Sequence, residues 1–122
     1  PTITEHISGI TILGGEPLHP KNLETTKNLV TWFKEDFPDK TIWLYTGYSL
    51  SDILLYKYIN KEKPDEITNT RRDILHFCDV VVDGKYVDEL RDLTLRFKGS
   101  SNQNIWKKQG YGFTNMTALG KM

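Results

Sequence analysis

Cysteine is nearly absent: the 122 residues contain one, Cys78. A single thiol excludes an intrachain disulfide and makes a reducing cytoplasm the expected compartment. An excess of either charge is absent too. Sixteen Lys and Arg balance sixteen Asp and Glu, so the basic footprint of a nucleic-acid binder is missing. No apolar run approaches the length of a membrane span, and no signal-peptide pattern opens the chain. The expected partners therefore include neither nucleic acid nor membrane. Histidine is sparse: His6, His19 and His76 are scattered and show no metal-ligand spacing. His19, between Leu18 and Pro20, reads as a turn residue. What is present, 38% hydrophobic and 26% charged residues, is the composition of one globular domain.

Apolar runs of two periods alternate along the chain. "GITIL", Gly9 to Leu13, is a β-branched strand that runs into Gly14, Gly15 and Glu16. "KNLETTKNLVTWFKEDF" places Leu23, Leu29, Val30, Phe33 and Phe37 at helical spacing. Asn22 is its expected N-cap, and "FPDK" stops it. "TIWLYTGY" is a second strand, ending at Thr46 and Gly47. "SLSDILLYKYI" is a helix with Ser51 as the expected cap, followed by the charged loop "NKEKPDE" and a further short helix, "ITNTRRDILHF". "CDVVVDG" is a third strand, and "LTLRFKGS" alternates as a half-buried edge strand would. From Lys107 to Met122 the periodicity fades, which predicts a loosely ordered tail behind a domain of residues 1–106.

Strands alternating with helices predict an α/β fold with a mostly parallel sheet and right-handed crossovers. In such folds the ligand sits at the carboxyl ends of the strands. Each predicted strand ends in small or polar residues there: Gly14-Gly15-Glu16, Thr46-Gly47, Asp83-Gly84 and Gly99-Ser100. Locally each has a plain alternative. Glu16 is either an exposed turn acid or an acceptor for a ligand amine. Asp83 and Lys85 are either a surface ion pair or part of a site. Thr46 could simply finish a strand, "RFKGSSNQ" could be a capped turn, and Cys78 reads as a buried structural thiol.

Taken in order, "GITILGGEPLHP", "IWLYTGY", "DVVVDGKYV" and "LRFKGSSNQ" resemble the activating proteins of anaerobic ribonucleoside-triphosphate reductases, from about Gly9 to Trp106. These are small radical S-adenosylmethionine enzymes. The resemblance implies a partial (β/α) barrel with helices outside. It implies that Gly14, Gly15 and Glu16 bind the methionine amino group and that Thr46 lies near the cofactor ribose. Asp83 and Lys85 match the Asp-x-Lys pattern of glycyl-radical activases, and Ser100, Ser101 and Asn102 are expected to border the cofactor or the partner's loop. The implied cofactors are S-adenosylmethionine and a 4Fe-4S cluster, and the implied partner is the large subunit of the reductase. The implied chemistry is reductive cleavage of the cofactor, followed by hydrogen abstraction from a glycine of that subunit. No protein acid or base is expected to carry it.

The chain departs from this family in one respect. The family's cluster is held by three cysteines at CxxxCxxC spacing, and thiolates are what such clusters need, yet only Cys78 is present. The expectation is a C-terminal fragment without the first strand and the cysteine loop, or a cluster-free binding module for S-adenosylmethionine or the reductase. Either would be inactive alone, and an incomplete sheet would expose an edge open to self-association.

Overall fold

A computed structural model of the chain describes residues 8–55, 65–85, 102–110 and 112–116. Its order is β1 (Gly9–Ile12), α1 (Leu23–Asp36), β2 (Thr41–Tyr45), α2 (Leu50–Leu54), α3 (Glu66–Phe77), β3 (Val80–Asp83), β4 (Asn104–Gln109) and β5 (Gly112–Asn115). A 3-10 turn, Pro20–Asn22, leads into α1.

The strands form one sheet in the order β1-β2-β3-β4-β5. β1 pairs parallel with β2, and β2 with β3, in the register Ile10↔Ile42 and Leu44↔Val81. Both crossovers run over the same face, because α1 and α3 pack on each other. Beyond β3 the pairing turns antiparallel, with Val82 opposite Ile105 and Lys107 opposite Thr114. The sheet is thus mixed, which corrects the expectation of a mostly parallel one. The reason is the end of the chain. Residues from Lys107 onward, expected to be loosely ordered, contribute to a β4–β5 hairpin that turns at Gly110, whose φ of 61° suits glycine. The strand expected in "LTLRFKGS" and the second half of "SLSDILLYKYI" lie outside the described residues.

Side-chain alternation along the strands divides the core. Ile42 and Leu44 of β2 and Val81 of β3 point toward Val30 and Phe33 of α1 and Ile74 and Leu75 of α3, and all seven are fully buried. Each such residue contributes about 1.5–3 kcal/mol by leaving water. Trp43, Tyr45, Val80, Val82 and Ile105 form a smaller cluster on the other face. The valine run of β3 is buried on both faces, as its composition predicts.

Two caps differ from expectation. Ser49, not Ser51, caps α2, its Oγ accepting from the Asp52 N–H at 3.3 Å. The Asn22 side chain makes no cap bond to α1. Its amide instead donates to the carbonyls of Gly15, at 2.7 Å, and Glu16, at 3.1 Å. Asn22 braces the turn that precedes it. At α3 the pattern is conventional: Asp65 accepts from the Thr68 N–H at 2.7 Å, and that bond holds its carboxyl below the usual range.

Candidate functional site

The parallel strands β1, β2 and β3 end side by side, and the loops that leave them surround a cleft of about 570 Å³. The β1 loop carries the glycine pair. Gly14 has φ 78° and Gly15 φ 35°, and Glu16 follows at φ 39°. Three consecutive residues in the left-handed region explain the doublet, because only glycine adopts that conformation without strain. A Cβ added to either glycine would meet nothing within 4 Å. The glycines are required by the backbone path, and the space above them is open.

Glu16 is the only non-glycine residue with positive φ among the described residues. Such conformations persist where the surroundings over-determine them, and its carboxylate is held by three donors. Oε2 accepts from the Leu18 N–H at 2.9 Å and from the Thr46 hydroxyl at 2.7 Å. Oε1 accepts from the Gly47 N–H at 2.6 Å. A carboxylate offers about four acceptor positions, so one remains on Oε1. No Lys or Arg forms a salt bridge with Glu16 among the described residues. The side chain is oriented and half-buried, and among the described residues no cation pairs with it.

The other walls come from β2 and β3. Thr46 is buried at the end of β2, and its hydroxyl also accepts from the Tyr48 N–H at 3.2 Å. Gly47 is close-packed: a Cβ there would lie 3.2 Å from Glu16 Oε1. Lys85 lines the cleft from the β3 loop. Gln103 lines it as well and donates to the Gly84 carbonyl at 3.0 Å. Tyr45 borders the same space, its phenol pushed above the ordinary range by burial.

Of the residues singled out from sequence, Gly14, Glu16, Thr46 and Lys85 meet at this cleft. Gly15 stands beside them in the turn. Asp83 does not line it. Its carboxylate is turned under the loop, where Oδ2 accepts from the Leu50 N–H at 2.6 Å and holds the start of α2. Its Oδ1 is buried without a hydrogen-bond partner among the described residues. Asn102 is exposed, and its amide donates to the Lys85 carbonyl at 2.8 Å, bracing the cleft wall. Ser100 and Ser101 lie outside the described residues. Gly47, noted from sequence only as part of a strand end, and Gln103, noted only as the last residue of the polar run "RFKGSSNQ", also line the cleft. The local signals marked both places without giving either residue a role.

The lone cysteine does not fit a cluster. Cys78 is completely buried at the end of α3, by the amino-terminal end of β3 and away from the cleft. Burial, and secondarily the charge of Asp79, push its thiol up to about 12, so it carries no thiolate at neutral pH. No group of three His, Cys, Asp or Glu able to hold a metal ion occurs among the described residues. Nor is any helix among them long and apolar enough to cross a membrane.

Known sequences agree with the resemblance. The family described as a 4Fe-4S single cluster domain matches residues 2–106. The chain is 40% identical over 101 residues to the anaerobic ribonucleoside-triphosphate reductase-activating protein of Enterobacteria phage T4, covering 83% of this chain and 54% of that protein. The proteins of the same name from Haemophilus influenzae and Escherichia coli K12 are 40% and 37% identical over 97 residues, each covering 80% of this chain and 54% of the relative. No solved structure matches. The chain spans about half the length of these curated relatives. This chain belongs to the 4Fe-4S single cluster domain family.

Proposed function

We propose that this chain supplies the S-adenosylmethionine-binding half of an activating protein for anaerobic ribonucleoside-triphosphate reductase. The observation that carries the reading is the Glu16 carboxylate: fixed by Leu18, Thr46 and Gly47, unpaired with any cation among the described residues, and left with one acceptor position beside open space. A methionine ammonium group fits that position. Charge-assisted bonds of this kind contribute about 1.5–3 kcal/mol. Lys85 and Gln103 also line the cleft, and the rest of the ligand would lie against them.

In the proposed activity the intact activase generates a glycyl radical on the large subunit of the reductase in the cytoplasm, using S-adenosylmethionine and a 4Fe-4S cluster. The cluster would supply the reducing electron. Its ligands are not among these 122 residues, since Cys78 is the only cysteine. The role of this chain is therefore to bind, to orient the methionine end of the cofactor and to exclude water at the strand ends. Helices on one face of three singly wound parallel strands fit a partial barrel of the radical S-adenosylmethionine type.

Calorimetric titration with S-adenosylmethionine tests the reading. Glu16→Ala should weaken binding at least about tenfold, the loss of one charge-assisted bond, while the thermal midpoint stays within a few degrees. Unchanged affinity would remove Glu16 from this role. A cluster-free binding module is the second reading, favoured by the single buried thiol.

A further inference from the structure

Arg71 stands in the middle of α3, at no strand end, yet its guanidinium reaches both loops that hold Glu16. Its Nε donates to the Leu18 carbonyl at 2.9 Å. Its Cζ lies 4.1 Å from the centre of the Tyr48 ring. Leu18 also gives its own N–H to Glu16 Oε2, and Tyr48 gives its N–H to the Thr46 hydroxyl that bonds the same oxygen. One planar cation thus grips the residue on either side of the carboxylate's donor set.

We infer that Arg71 is a positioning residue for the strand-end site: it clamps the β1 and β2 loops together and thereby fixes the Glu16 carboxylate for its ligand. The consequence for a ligand rests on the function proposed above; the clamp itself does not. Arginine suits the task because one flat group can donate in its plane and stack on its face. Its contacts go to a carbonyl and a ring, and it forms no salt bridge with Glu16. Without the clamp the β1 and β2 loops are joined through the bonds of Glu16 to Thr46 and Gly47, and the strained Glu16 backbone has less to hold it.

The test is amide hydrogen exchange on the whole chain, comparing wild type with Arg71→Ala and Arg71→Lys. The Leu18 and Gly47 amides, both bonded to Glu16, should exchange about tenfold faster in Arg71→Ala relative to amides of the β2–β3 ladder. Arg71→Lys keeps a donor but loses the planar stack, and should fall between. A uniform acceleration of all amides, or none, overturns the inference, because a merely structural arginine would shift the whole domain together. If Arg71→Ala proves too unstable, the lysine variant decides by the same ratio. Titration with S-adenosylmethionine separates this from the parent reading. Faster Leu18 and Gly47 exchange with weaker binding supports the positioning role. Faster exchange with unchanged binding overturns positioning of the ligand while Glu16→Ala still reports on the site. If neither substitution affects binding but the two amides respond, the clamp stands and the proposed ligand falls.

Discussion

Two carboxylates each tie β2 to a neighbouring strand, at opposite ends of the sheet. Asp79, just before β3, accepts from the Ile42 N–H at 2.8 Å and is paired with Lys34 at 2.8 Å. Lys34 also donates to the Lys40 carbonyl at 2.8 Å. A cation there matches the charge. Glu16, just after β1, is held as firmly, but by three neutral donors. One end of the sheet pairs its carboxylate with a cation. The other leaves an oriented carboxylate beside a cleft with no cation paired to it among the described residues, and that difference separates a candidate binding group from a structural one.

The comparison can be broken in several ways. The largest effect is expected at Gly9, near the structural end, where a Cβ would lie 2.1 Å from the Thr41 carbonyl oxygen. Gly9→Val should force β1 away from β2 and destabilise the domain by about 3 kcal/mol or more, measured by urea denaturation. Asp79→Ala comes next, at about 2 kcal/mol. Most of that arises from leaving the Ile42 N–H unmet, since a pair as exposed as Asp79–Lys34 contributes little by itself. Affinity for S-adenosylmethionine should not change. Glu16→Ala should do the reverse, costing less stability and most of the affinity. If both substitutions cost stability alone, the contrast between the two ends disappears.

The smallest effect is a slope with pH. Cys78 ionises at about 12 in the folded chain, against about 8.5 for a free thiol. The unfolded chain therefore sheds this proton first as pH rises. The stability contributed is fully present below the unfolded value and is lost progressively between about pH 9 and pH 12. Urea midpoints at pH 8, 9.5 and 10.5 should fall more steeply for wild type than for Cys78→Ala. The native thiol should also resist iodoacetamide at pH 8. Rapid alkylation would contradict its burial.

Much of the architecture was legible in the chain because it rests on local rules. Val30 and Phe33 at helical spacing, and Ile42 and Leu44 two apart, fix which faces are apolar whatever the neighbours do. The last hairpin was not legible. Its strands carry only Ile105, Trp106 and Phe113 as large apolar residues, and their stability comes from pairing with β3, which is a long-range matter. The missed site residues share this cause. Nothing near Arg71 in sequence marks it, because its partners at Leu18 and Tyr48 are distant in the chain and meet only through packing.

The sequence by itself determined the glycine doublet, the single thiol, the neutral charge and the strand-helix alternation, and with them the family. These are properties of residues and their immediate neighbours. Only the tertiary structure decided that Glu16 turns inward onto Thr46 and Gly47, that Asp83 faces under its loop to hold α2, and that Arg71 joins two loops. Where a side chain points depends on which donors the fold brings within about 3 Å of it, and that distance is set by the whole sheet.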